Sequence, residues 1–172
     1  MSSDLFQLPR FLVLSLTLIA GWVTFTASAE AADSESHYNN HLALIVGHAE
    51  EEQKDGHHES GSVLGLDYIR HLNHRWGIGA TFEVETFGNN HKRHGILAIP
   101  VSFYPGGNWR LFAAPGVEFE EPWDPEKGLL RLGVGYEFHL GKRFTLAPEA
   151  QVDLVEGGTT VYVFALAFGF GF

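Results

Sequence analysis

From Asn40 onward, large apolar residues alternate with polar or small ones, and no stretch of about ten residues shows helical spacing. The alternation predicts strands throughout. Turn signals divide the chain into eight of them: His41 to Ala49, Ser62 to Arg70, Trp76 to Phe87, Ile96 to Tyr104, Trp109 to Glu120, Leu129 to Leu140, Arg143 to Val155 and Thr159 to Phe172. Each is near the roughly 9 to 11 residues that a tilted strand needs to cross a bilayer.

The two faces of these strands differ in a way that fixes their surroundings. In the sixth strand Leu130, Leu132, Val134, Tyr136 and Phe138 share one face, opposite Arg131, Gly133, Gly135, Glu137 and His139. In the seventh, Phe144, Leu146, Ala150, Val152 and Leu154 oppose Arg143, Thr145, Glu149, Gln151 and Asp153. In the eighth, Tyr162, Phe164, Leu166, Phe168, Phe170 and Phe172 oppose valine, alanine and glycine. A soluble barrel would turn the bulky side inward, into a lumen only just wide enough for side chains. Small residues on the other face would then serve no purpose in water. Placed inside, they relieve crowding. The pattern predicts a closed, antiparallel, up-and-down transmembrane β-barrel, with bulky residues toward lipid and small or ionised ones toward the axis.

The connections agree with this placement. Expected external loops run Glu50 to Gly61, Gly88 to Gly95, Glu121 to Gly128 and Glu156 to Gly158, and the opposite turns run Leu72 to Arg75, Pro105 to Asn108 and Leu140 to Lys142. The longer connections fall on one side, as in outer-membrane barrels. Trp76 and Trp109 suit an aromatic girdle at the periplasmic interface, whereas Trp123 falls in an external loop. Pro100, Pro115 and Pro148 interrupt expected strands, so each predicts a bulge, a lumenal side chain or a boundary.

At the N-terminus, an apolar run of 15 residues from Phe11 to Phe25 follows Arg10 and precedes Thr26-Ala27-Ser28-Ala29. It is short for a spanning helix and has the order of a secretory leader. The expected division is a signal peptide over 1–29 and a barrel domain over 30–172, with cleavage after Ala31 as the other reading. Composition adds three exclusions. The absence of cysteine removes disulfides and thiolate zinc sites. A net charge of −10 leaves no basic footprint for nucleic acid. The mean hydropathy of −0.03 is that of a soluble protein, but alternation hides the apolar face of a barrel from any average.

On this register the lumen receives Asp67, Glu83, Glu85, Glu118, Glu120, Glu137, Glu149 and Asp153, against Arg110, Arg131 and Arg143, with His139 near the periplasmic end. Buried charges require partners. Matching adjacent strands sets Arg131 opposite or diagonal to Glu118 on one side and near Glu149 and Gln151 on the other. An ion-pair network centred on Arg131 is therefore expected to plug the barrel. The acidic excess suggests a narrow cation-favouring pore as the alternative.

Two further chemistries have the residues but lack the spacing. His48, Glu50, Glu51, Glu52, Asp55, His57, His58 and Glu59, with His91 and His94, are donors suited to zinc, nickel or copper. They form no known ligand pattern, and no metal or other cofactor is expected. A lipid A-modifying enzyme would need serine, histidine and an acid together. Only Ser60 and Ser62, with His48 and Glu59, lie near the outer rim, and no convincing triad emerges.

The leader, the eight alternating strands and the closing Phe168-Gly169-Phe170-Gly171-Phe172 together resemble the small outer-membrane β-barrel proteins related to OmpA and OmpX. The resemblance spans the mature chain. It implies that Phe168, Phe170 and Phe172 form the C-terminal signal read by the barrel-assembly machinery. It implies no activity, because no external-loop motif of a characterised adhesin or invasion protein is present. The expectation is a monomer in the outer membrane of a Gram-negative bacterium, in contact with phospholipid and lipopolysaccharide, structural or surface-interacting, and not an enzyme.

Overall fold

A computed structural model describes residues 38–52, 58–88, 92–120 and 124–172. The expected leader over 1–29 lies outside the described residues, as do Asp55, His57, His91 and Trp123. The described residues form ten β-segments: β1 (Asn40–Glu52), β2 (His58–His71), β3 (Trp76–Phe87), β4 (Lys92–Ala98), β5 (Val101–Gly106), β6 (Trp109–Glu120), β7 (Asp124–Tyr136), β8 (Phe138–Leu140), β9 (Phe144–Val155) and β10 (Thr159–Gly171). All pairings are antiparallel, β4 and β5 both lie between β3 and β6, β7 and β8 both pair with β9, and β10 returns to pair with β1 from His41↔Gly171 to Glu52↔Thr160. Asn40 and Phe172 complete this seam by exchanging backbone hydrogen bonds of 3.1 and 2.9 Å. Closure leaves no strand edge to be satisfied by lipid.

The ten segments are eight barrel strands, because β4 with β5 and β7 with β8 are each one strand interrupted. Proline causes both interruptions. Pro100 lies buried between β4 and β5, and its neighbour Ile99 faces Pro115 of β6, whose carbonyl accepts the Ile99 N–H at 2.9 Å. Both N–H and C=O of a strand residue point the same way, so the donor that Pro115 lacks is missing toward this same break. Pairing resumes without slippage, from Ala98↔Gly116 to Val101↔Ala113. Pro115 itself points outward inside a continuous segment, so it is neither bulge, boundary nor lumenal residue as expected. The gap at Glu137 between β7 and β8 falls opposite Pro148 and its neighbour on β9, which lies on the outward face and also makes no bulge. The register shifts fall elsewhere, at the external end of β7, where Glu118↔Lys127 gives way to Phe119↔Pro125, and near the β5–β6 turn, where Phe103↔Leu111 gives way to Gly106↔Trp109.

The observed strands outrun the apolar alternation at the external end. β1 and β2 remain paired up to Glu52↔His58, and β6 and β7 up to Glu120↔Asp124, so two expected loops shrink to 53–57 and 121–123. Backbone pairing does not require apolar side chains once the strand leaves hydrocarbon.

Bulky residues cover the outer wall: Leu42, Leu44, Val46, Leu64, Leu66, Phe82, Leu97, Leu111, Leu132, Phe164, Leu166 and Phe168 are all exposed. At the short-turn end an aromatic belt forms, in which Trp76 packs on Phe103 at 4.9 Å, Trp109 on Tyr136 at 5.0 Å and Phe144 on Phe170 at 5.3 Å. The inner wall is more apolar than expected. Ile45, Val63, Ile69, Phe87, Ile96, Phe112 and Leu129 are buried beside the alanines, above and below a charged belt at mid-height. Alternation alone cannot see them, because they break the contrast between faces.

Candidate functional site

The charged belt contains two arginines, each reaching across the lumen. Arg131 of β7 is the direct cross-strand partner of Asp153 on β9, and grips both its oxygens at 2.7 Å through Nε and Nη2. Its Nη1 lies 2.6 Å from Glu83 on β3, on the other side of the barrel, and its Nη2 lies 3.9 Å from Glu85. Arg110 of β6 donates to Asp67 on β2 at 2.8 Å, to Glu149 on β9 at 3.1 Å and to Ser102 on β5 at 3.2 Å. Asp67 also accepts the Thr81 hydroxyl at 2.6 Å, and Glu149 accepts the Gln151 amide at 3.1 Å. Side chains from β2, β3, β5, β6, β7 and β9 are thus tied across the axis.

Space for these long side chains comes from small neighbours. Arg110 stacks over the Phe112 ring at 4.5 Å, and that ring lies against Gly133, its cross-strand partner on β7. Any side chain at Gly133 would meet the ring and displace the guanidinium above it.

Of the residues expected in the network, the structure brings together Arg131 with Asp153 and Arg110 with Glu149, in pairings that differ from those expected. Arg131 bonds Asp153 and Glu83, whereas Glu118 instead meets His94 at 3.2 Å and Lys127 at 3.6 Å, and Glu149 belongs to Arg110. Glu118 pairs in the ladder with Lys127 and Arg131 with Ala114, four residues from the expected match, because the hairpin beyond them is tighter than the sequence implied. Arg143 is a correction of another kind. It sits exposed in the turn before β9, outside the lumen. Glu137 is half-buried at the β7–β8 break, and His139 is half-buried on β8. Glu120 pairs with Asp124 at the external end of β6. Thr81, Ser102 and Phe112 were missed, being too ordinary in type to stand out before their partners were known.

Not every buried oxygen finds a partner. Among the described residues both carboxylate oxygens of Glu83, Oε1 of Glu85, Nη1 of Arg131 and Oε1 of Gln151 make no aligned hydrogen bond. The 2.6 Å Arg131–Glu83 contact is therefore an ion pair held by charge, with poor hydrogen-bond direction. Five carboxylates, Asp67, Glu83, Glu85, Glu149 and Asp153, share two guanidinium groups. A cavity of about 10 Å³ lies between the two arginines, lined by Asp67, Thr81, Glu83, Glu149 and Gln151 among others. That is the size that admits a single water molecule.

The remaining candidates separate. His48 and Ser62 face each other across β1 and β2 on the outer wall, while Glu59, the expected acid, pairs with Glu51 on the alternate face. His94 faces inward, against the Phe87 ring at 5.5 Å. Among the described residues no group of three or more His, Asp or Glu is arranged to hold a metal ion. Phe168 and Phe172 are exposed on the outer wall, and Phe170 stands half-buried between them at 6.2 Å from Phe172.

No protein-family model matches the chain, and no curated protein does. Solved structures do. Neisserial surface protein A superposes with a TM-score of 0.59 at 8% identity, over 78% of this chain and 97% of that one. The outer membrane protein OprG from Pseudomonas aeruginosa gives 0.52 at 14% identity, over 81% and 99%. The chain has the fold of the small eight-stranded outer-membrane β-barrels. Its apolar wall around a charged interior is the pattern of a barrel that faces lipid.

Proposed function

We propose that this barrel is a structural or surface-interacting protein of the outer membrane, monomeric, with a plugged lumen that does not conduct. The filled cross-section carries the reading. At the level of Arg110 and Arg131 the interior is crossed by ion pairs, and the space between them is no more than that of about one water. An eight-stranded barrel is narrow enough for side chains to close it. Partners follow from the surface: phospholipid and lipopolysaccharide around the apolar wall, and the barrel-assembly machinery at the outward Phe168, Phe170 and Phe172. A catalytic role is not part of this reading. At His48 and Ser62 both strands are paired on each side, so their N–H groups serve the ladder and offer no oxyanion donor.

Planar-bilayer recording of the refolded chain tests the plug. The expected result is an unchanged baseline after insertion. Stepwise, cation-selective current would overturn it in favour of the narrow pore, the second reading that the acidic excess supports.

A further inference from the structure

The charges outside the lumen are divided unequally between the two ends, because the carboxylates gather at the long-loop end and there outnumber Lys92, Arg93 and Lys127. Arg70, Arg75, Lys142 and Arg143 gather at the short-turn end, and all four are exposed. The turns at that end, 72–75, 107–108 and 141–143, contain no Asp or Glu. Among the described side chains of the neighbouring strands, Glu137 and Glu149 are on the inner side, and Glu149 is already held by Arg110. The long-loop end carries the opposite sign, with Glu50, Glu51, Glu52, Glu59 and Glu156.

Position matters as much as charge. Arg70 continues the outward series Leu64, Leu66, Tyr68 on β2, and pairs with outward Ile78 on β3, two residues from Trp76. Its guanidinium therefore belongs to the lipid-facing wall at the depth of the aromatic belt, which is where headgroups begin. Arg75 adjoins Trp76. Lys142 and Arg143 adjoin Phe144, which packs on Phe170. Because β9, β10, β1 and β2 are consecutive around the barrel, the two basic groups flank the seam that Asn40 and Phe172 close.

We propose that this rim binds the phosphodiester headgroups of anionic phospholipids in the inner leaflet of the outer membrane. Each headgroup phosphate would be met by a guanidinium or ammonium at its own level, with its acyl chains against the belt. Lipopolysaccharide lies in the other leaflet, at the far end of the barrel from this rim. A soluble acidic partner would not explain a guanidinium placed on the lipid wall.

The test uses the full refolded chain in mixed micelles with equal phosphatidylglycerol and phosphatidylcholine, read by native mass spectrometry of retained lipid. The expected preference for phosphatidylglycerol is roughly tenfold or more, from basic residues held at an anionic surface. It should fall to parity in a variant carrying Arg70→Gln, Arg75→Gln, Lys142→Gln and Arg143→Gln, and should decline with salt in the native chain. Equal retention of both lipids by the native chain would overturn the proposal, as would a preference that survives the substitutions. Should the fourfold variant fail to show the compact, heat-sensitive gel band of a folded barrel, the salt titration and the Arg70→Gln, Arg75→Gln pair decide by the same criteria. The inference rests on the membrane placement above, and failure of that placement has a different signature: neither lipid would be retained.

Discussion

Replacing Arg131 with alanine should lower the unfolding free energy of the barrel by about 3–5 kcal/mol, the range for removing one partner of a buried ion pair. The size follows from what is left behind. Arg131 is 1% exposed, and Asp153 and Glu83, both at 0%, have it as their cation within 3 Å. Without it, β3 and β9 present carboxylates to each other across a lumen with space for about one water. Adding Glu83→Gln to the alanine variant should recover part of the loss, because one of the stranded charges is then gone. The measurement is urea unfolding in detergent or vesicles, followed by tryptophan fluorescence and by the heat-sensitive gel band. A loss below about 1 kcal/mol, the scale of an exposed pair, would mean that the network is solvated and closes nothing.

A second large effect is expected from a single methyl group. At Gly79 an added Cβ would collide with the backbone carbonyl oxygen of Tyr68 on β2, and a backbone atom cannot rotate away. The site is also where β3 supports the broken strand, since the Gly79 N–H donates to Pro100 at 2.9 Å. Gly79→Ala should therefore spread β2 from β3 beside the proline break. The expected cost is about 1–3 kcal/mol, as for overpacking elsewhere, together with a smaller folded fraction on refolding. Gly128→Ala is the control. A Cβ there meets only a Glu156 carboxylate oxygen, at 3.6 Å, and stability should change by less than about 0.5 kcal/mol. Equal effects at the two positions would show that the close approach of Gly79 to Tyr68 is not a constraint.

How much of this was legible beforehand depended on which physical signal carried it. The faces of β7, β9 and β10 could be read directly, because lipid demands bulk on one side and a narrow lumen demands small or paired groups on the other. That contrast placed Asp153, Glu149 and Arg131 inside and Phe168 outside. The pairing of those charges could not be read, since it depends on where each hairpin turns. β6 and β7 stay hydrogen-bonded through polar residues out to Glu120↔Asp124, and a bulge adds one residue to β7 on the way. The tight hairpin moves Arg131 away from Glu118, the bulge returns it by one residue to face Ala114, and the β7–β9 register sets Asp153 beside it. Prolines misled for a related reason. Pro115 and Pro148 were expected to disturb their own strands, yet the breaks appear in the neighbouring strands that lose a donor. Arg143 shows the limit of alternation at a strand end, where one residue decides between lumen and turn.

The orientation of the wall can be tested residue by residue, because the chain contains no cysteine to interfere. Single cysteines would be placed at Phe164, Ala165, Leu166, Ala167 and Phe168 along β10, labelled with a polarity-sensitive fluorophore, refolded into vesicles and challenged with lipids that carry a quencher on the acyl chain. The expected readout is alternating: strong quenching at 164, 166 and 168, and weak quenching at 165 and 167. Uniform quenching, or the opposite alternation, would contradict a barrel that faces hydrocarbon with its phenylalanines and encloses its charges.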